Sequence, residues 1–137
     1  MSLVLDSSVA LAWVYAYETT EPVLRVFDAV RARDAWVPAL WRWEIANVLQ
    51  LNVRRARHGG EFRDAALANL SLLPLKVDDE AARRAWSDTL HLAVKHALTV
   101  YDAAYLEIAC RRRIPLATLD REVRAAAASE GVLLLGM

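Results

Sequence analysis

Five short, mostly apolar runs punctuate this chain: Leu3 to Leu5, Ala35 to Val37, Leu73 to Val77, Leu116 to Thr118 and Val132 to Leu135. Longer stretches with a helical apolar period separate them. No other feature restricts the fold as strongly. Short apolar runs make strands buried on both faces, whereas apolar residues at three- and four-residue spacings make helices with one buried stripe. Strands joined through helices pair in parallel, because each crossover must carry the chain back to the same end of the sheet. The alternation therefore predicts an α/β protein, a three-layer sandwich with a central, mostly parallel five-stranded sheet flanked by helices.

The predicted helices follow from the same pattern. Val9 to Tyr17 opens the first and Glu21 to Arg33 makes the second. A third, with Pro38 in its first turn, runs toward Arg57 and stops at Gly59 and Gly60. Glu61 to Leu70 is a fourth, and Asp78 or Asp79 caps a fifth that continues through His96. Tyr101 to Arg112 and Arg121 to Ser129 complete the set. With no Gly-, Pro- or Ser-rich linker and no internal repeat, residues 1–137 read as one domain.

The longest apolar run, Val9 to Tyr17, is nine residues, well below the roughly 20 needed to span a bilayer. Asp6 interrupts the N-terminus before a secretory signal could form, so the expected location is the cytoplasm. Cys110 is the only cysteine, which excludes an intramolecular disulfide and a cysteine-based zinc site. The 17 bases balance the 17 acids, so no overall charge draws the chain to a polyanion. Fifteen of the bases are arginine, however, grouped at Arg54, Arg55 and Arg57 and at Arg111, Arg112 and Arg113. Arginine forks match phosphate oxygens, which makes Arg54, Arg55, Arg111, Arg112 and Arg113 candidates for gripping RNA. Solvated cations near helix C-termini are an equal alternative.

Four carboxylates stand where acids are least expected. Asp6 and Asp120 each follow a predicted strand, at the sheet edge where open α/β folds hold ligands. Either could be only a helix N-cap, a role worth about 1 kcal/mol. Glu44 shares a helical stripe with Trp41 and Val48, and Asp102 shares one with Tyr105, Leu106 and Ala109. An acid on an apolar stripe is costly unless paired or coordinated, and capping does not explain it. In a parallel sheet all four converge on one edge. Clustered carboxylates partly protonate unless cations separate them, and an all-oxygen donor set favours Mg²⁺ or Mn²⁺. One or two such ions can activate water against a phosphodiester. A metal-free ribonuclease would instead use histidines, but His58, His91 and His96 read as surface or helix-end residues.

The segments LDSSVALAW, PALWRWEIANVL, LTVYDAAYLEIA and LATLD, in this order, resemble the signature blocks of PIN-domain ribonucleases, in particular VapC toxins of toxin–antitoxin systems. The resemblance implies a PIN-like fold and a metal-dependent endoribonuclease leaving 5′-phosphate and 3′-hydroxyl ends. It places the family's four acids on Asp6, Glu44, Asp102 and Asp120, with Asp6 and Asp102 the principal Mg²⁺ ligands. The family's supporting hydroxyls fall on Ser8 and Thr118. It also implies a cognate antitoxin that fills the acidic pocket, and a homodimer. The competing reading is a catalytically silent PIN scaffold that binds protein or RNA. A haloacid-dehalogenase phosphatase is disfavoured because Ser8 stands where that family needs a second aspartate. The five tryptophans, Trp13, Trp36, Trp41, Trp43 and Trp86, are each expected in the core.

Overall fold

The central strands are apolar on both faces because both faces are covered. Leu3, Val4, Leu5, Leu116 and Ala117 are essentially inaccessible to solvent in the computed structural model, which describes residues 2–137. The strands are β1 (Val4–Leu5), β2 (Ala35–Val37), β3 (Leu75–Val77), β4 (Leu116–Ala117) and β5 (Leu134–Leu135). They form one sheet in the order β3-β2-β1-β4-β5, and every neighbouring pair is parallel. The predicted three-layer α/β architecture is therefore correct, and its sheet is parallel throughout.

The helices are α1 (Ser7–Val14), α2 (Glu21–Ala32), α3 (Leu40–Arg54), α4 (Gly60–Leu70), α5 (Glu80–Arg83), α6 (Asp88–His96), α7 (Val100–Arg112) and α8 (Arg121–Ser129). A single 3₁₀ turn, Ala16–Glu18, follows α1. Strand order runs outward from β1 through β2 to β3, then jumps back across the sheet to β4. Right-handed crossovers place α1 to α4 on one face and α5 to α8 on the other. The contacts agree: α1 meets α2 and α3, while α7 meets α5, α6 and α8 and lies across β1, β2 and β4. The reversal opens a crevice beyond the C-terminal ends of β1 and β4, the usual ligand position in such sheets.

Helix α7 is buried on every side from Ala103 to Ala109, as expected of a helix between a sheet and further helices. That position buries Glu107, whose carboxylate accepts two hydrogen bonds from Arg111 at 2.8 and 3.1 Å. Arg111 also reaches Asp78 Oδ1 at 2.8 Å, and Arg112 Nε donates to Asp78 Oδ2 at 2.6 Å. The same Asp78 carboxylate accepts from the Ala81 amide at 2.9 Å and so fastens the start of α5 to the end of α7.

Three expectations need correction. The single helix expected up to His96 is broken into α5 and α6 at residues 84–87, where the Arg84 carbonyl receives the amides of both Ser87 and Thr89. The third helix ends at Arg54, before the glycines, by turning through Ala56 at φ 56°, and Gly60 opens α4 instead. Of the tryptophans, Trp41 is buried and Trp13 and Trp36 pack against the core from its edge, but Trp43 and Trp86 are 73% and 93% exposed. Trp43 lies on the face of α3 opposite Trp41 and Ile45, and Trp86 lies in the break between α5 and α6. Among the described residues no helix is long and apolar enough to cross a membrane.

Candidate active site

Asp6 ends the central strand and is only 6% exposed. It occupies the N-cap position of α1, yet its carboxylate makes no capping hydrogen bond. Ser8 Oγ and Thr118 Oγ1 instead both donate to its Oδ2, at 2.5 and 2.9 Å. Both hydroxyls are oriented from behind, because Ser8 Oγ accepts from the Leu119 amide at 3.0 Å and Thr118 Oγ1 from the Asp120 amide at 3.1 Å. A hydroxyl has a single hydrogen, so an oxygen already accepting an amide aims that hydrogen at Asp6. The two bonds favour the ionised carboxylate and leave Oδ1 without a side-chain donor. Burial nevertheless prevails over them and, with the added charge of Asp102, holds the Asp6 carboxyl above its usual range.

The other three acids come from three further elements. Glu44 projects from the second turn of α3 and is half-buried. Its Oε1 accepts a short hydrogen bond from the buried Tyr105 hydroxyl of α7. Burial raises the Glu44 pKa, the Tyr105 hydrogen bond opposes this, and the charges of Asp6 and Asp102 add to the rise. Asp102 lies in the first turn of α7, where Thr99 caps the helix by accepting the Asp102 amide at 3.1 Å. A helix dipole welcomes an acid there, so this position has a structural explanation that its apolar stripe concealed. Burial still raises the Asp102 pKa, followed by the charge of Asp120 and, more weakly, that of Glu122. Asp120 does cap α8, with Oδ1 accepting the Val123 amide at 3.0 Å.

The crevice thus gathers carboxylates from β1, α3, α7 and the start of α8 closely enough for their charges to act on one another. Among the described residues, no lysine, arginine or histidine forms an ion pair with Asp6, Glu44, Asp102 or Asp120. Nor are three acid, imidazole or thiol groups drawn tightly enough together to cage an ion unaided. Burial and repulsion also push the Tyr105 phenol far above its ordinary range, so it stays a hydrogen-bond donor at all working pH values. The sequence marks Tyr105 only as a neighbour of Asp102 on its apolar stripe, and that place three residues on, on the same helical face, is the signal that it can serve the site.

The arginine expectations divide. Arg111 and Arg112 are held by Asp78 and Glu107, and the Arg112 guanidinium also stacks 3.4 Å over the Trp36 ring. They lie in the last turn of α7, at the end opposite Asp102, and Arg113 forms the left-handed C-cap at φ 58°. Arg111 and Arg112 thus brace the fold at the end of α7 away from the acids, whereas the Arg113 side chain is exposed. Arg54 and Arg55 close α3 with exposed side chains, and Arg55 shares a groove with Ser8 and Asp120. The histidines lie away from the acids: His58 stacks on Phe62, His96 Nε2 contacts Glu130 at 2.7 Å, and His91 is exposed. Cys110 is half-buried on α7, and burial with nearby Glu130 and Glu107 pushes its thiol up to about 11.

Residues 3–129 match the PIN domain. Ribonuclease VapC3 of Pyrobaculum aerophilum is 33% identical over 129 residues, which cover 90% of this chain and 92% of that protein. FitAcB from Neisseria gonorrhoeae has a similar crystal structure, with a TM-score of 0.67 and 17% identity over 98% of this chain and 96% of that one. VapBC2 from Rickettsia felis, solved bound to a DNA fragment from its promoter, gives a TM-score of 0.65 and 12% identity over 98% and 97%. The two crystal structures bear on the fold, and the domain match and the VapC3 similarity bear on descent. The chain belongs to the PIN-domain family, among its VapC-like members.

Proposed function

We propose that this chain is a metal-dependent endoribonuclease, the toxin of a VapBC-type pair, which hydrolyses RNA phosphodiester bonds at the pocket of Asp6, Glu44, Asp102 and Asp120. The observation that carries the reading is the pocket's uncompensated charge: four elements bring acids to one crevice, burial and then the neighbouring carboxylates raise the pKa values of Asp6, Glu44 and Asp102, and no basic side chain among the described residues pairs with any of the four. Such a donor set, all oxygen and all anionic, fits Mg²⁺, with Mn²⁺ a possible substitute. The open spacing fits it as well, since Mg²⁺ is usually held by one or two carboxylates and completes its shell with water and substrate phosphate. Asp6 and Asp102 would be its principal ligands, with Glu44 and Asp120 beside them. When bound, the ion would neutralise the acids, activate a water and stabilise the leaving oxygen.

The chain's own groups have separable tasks. Ser8 and Thr118 hold Asp6 in one orientation and favour its charged form. Glu44, whose pKa burial raises, is a better proton acceptor than an ordinary carboxylate and would take the proton of the attacking water. Tyr105 fixes the Glu44 side chain. An antitoxin offering a basic side chain would supply the missing counter-charge and occupy the site, and the active species would be a homodimer of single-domain protomers.

The test is cleavage of a mixed RNA pool by the purified chain in Mg²⁺, in Mn²⁺ and in EDTA, with the new ends mapped. Metal-dependent cuts leaving 5′-phosphates, lost in Asp102→Asn, are expected. EDTA-resistant cuts leaving 2′,3′-cyclic phosphates would refute the proposal, and absence of any cut would leave a binding scaffold.

A further inference from the structure

A groove of about 520 Å³ starts at Ser8 and Asp120 and leads away from the acids to Tyr17, Arg55 and Arg57. Its two walls are tied together by one buried polar residue. The Asn52 side chain donates to the Tyr15 hydroxyl at 2.5 Å, and its backbone carbonyl receives the Arg57 amide at 2.9 Å. A polar residue buried in α3 is thereby satisfied on both sides, and the segment carrying the arginines is held against the segment carrying the tyrosines. Ala56, in left-handed conformation at φ 56°, sets the sharp turn between Arg55 and Arg57. Among the described residues, neither guanidinium forms a side-chain hydrogen bond or an ion pair, and both residues are exposed.

Tyr17 stands on the opposite wall, 77% exposed and yet firmly seated. Its ring stacks on Tyr15 at 5.7 Å, Tyr15 stacks on His58 at 5.1 Å, and His58 stacks on Phe62 at 4.3 Å, with interplanar angles of 25°, 24° and 15°. The 3₁₀ turn beneath it is pinned by Thr19 Oγ1, which donates to the Ala12 carbonyl at 2.7 Å. The outer face of Tyr17 is thus the open end of a rigid aromatic pile, beside two unpaired guanidinium groups and continuous with the acidic pocket. Glu18, which also lines the groove, would discourage a phosphate on its own side and leaves the arginine wall as the one for the backbone.

We infer that this groove is the track of a single-stranded RNA segment flanking the scissile phosphate, in which an unpaired base stacks on Tyr17 and neighbouring phosphates lie against Arg55 and Arg57. The inference rests on the endoribonuclease reading and narrows its substrate to an unpaired stretch, because a base within a duplex cannot offer its face to a side chain. Arg54 and the Arg111 cluster have no part in it.

The experiment separates this assignment from the parent reading by measuring binding without cleavage. The full chain is titrated in EDTA with a short single-stranded RNA carrying 2-aminopurine, whose fluorescence is quenched on stacking, over a series of salt concentrations. Metal-dependent cleavage of the same RNA is measured in parallel. Wild type should quench the probe. Tyr17→Ala should bind about tenfold or more weakly and lose the quenching, whereas Tyr17→Phe and Tyr17→Trp retain both. Arg55→Gln and Arg57→Gln should each lower the slope of log affinity against log salt by about 0.7, the value for one phosphate contact on a single strand. If wild type cleaves and binds RNA while Tyr17→Ala, Arg55→Gln and Arg57→Gln behave like it, the groove assignment fails and the nuclease reading stands. Equal affinity for a duplex of the same sequence would also overturn the assignment. If wild type neither binds nor cuts RNA, both fall together.

Discussion

Replacing Asp6 by asparagine should stabilise the metal-free protein at neutral pH while abolishing its nuclease activity. Both hydroxyl donors fall on one oxygen of Asp6, so an asparagine carbonyl can occupy that place and keep Ser8 and Thr118 satisfied. Its amide group then replaces the oxygen that has no side-chain donor and removes one negative charge from the acidic pocket. A like charge acting across roughly 6 Å at an effective dielectric constant of about 20 costs about 3 kcal/mol. Two hydrogen bonds to a neutral acceptor instead of a charged one give back about 2 kcal/mol together. The net gain is about 1 kcal/mol, equivalent to a rise in Tm of about 4 °C for a chain of this size.

The pH dependence follows from the raised Asp6 pKa. Between the ordinary carboxylate pKa and the raised one, the folded state binds the extra proton, so stability of the wild type falls as pH rises through that window. Below the ordinary value both states are protonated and the cost is absent; above the raised value it is fully present. Thermal unfolding of wild type and Asp6→Asn in EDTA should therefore show a gap that is largest at pH 7.5 and closes on acidification. Adding Mg²⁺ should raise the Tm of the wild type and leave the variant unmoved. A variant less stable than wild type in EDTA at pH 7.5 would refute the reasoning, because the buried charge would then be an asset to the fold and not a burden.

Three more outcomes follow from particular contacts. Tyr105→Phe removes the donor that favours ionised Glu44, so the acid limb of the pH–rate profile should move to higher pH, with a stability loss of about 1.5 to 3 kcal/mol by denaturant titration. Asp78→Ala leaves Arg111 and Arg112 without their shared partner and should cost about 3 to 5 kcal/mol. Burial pulls the Asp78 pKa upward but the two guanidinium groups outweigh it and hold it below the usual range, so this stabilisation should disappear in acid as pH falls through the lowered pKa. Trp86→Ala, at a side chain that packs on nothing, should change stability by less than about 0.5 kcal/mol in the same titration.

Local pattern carried the sheet because each buried strand is a short apolar run with polar surroundings; β2 and α8 fall at the predicted bounds. The four acids were legible for the converse reason, as polar residues interrupting apolar patterns. What stayed hidden depended on distant partners. The residues around the α5–α6 break favour a helix throughout, with no glycine or proline at 84–87, so only tertiary packing divides them. Asp78 read as a cap, whereas its stronger ties run to arginines 33 and 34 positions away. Trp43 and Trp86 read as core because their hydrophobicity is certain and their facing is not. Arginines near a helix end read alike whether they meet phosphate or a buried carboxylate.

Because β1 lies between β2 and β4, the first acid of the pocket is completed by a residue 112 positions further along the chain. A nascent polypeptide displays Asp6, Glu44 and Asp102 well before Thr118 and Asp120 leave the ribosome, and until then Asp6 has only Ser8 of its two hydroxyl donors and the pocket lacks its fourth acid. A chain translated only to residue 115 carries neither β4 nor α8. A product ending there would lack both Thr118 and Asp120, so the acidic pocket takes shape only once β4 and α8 have joined the sheet that β1 begins.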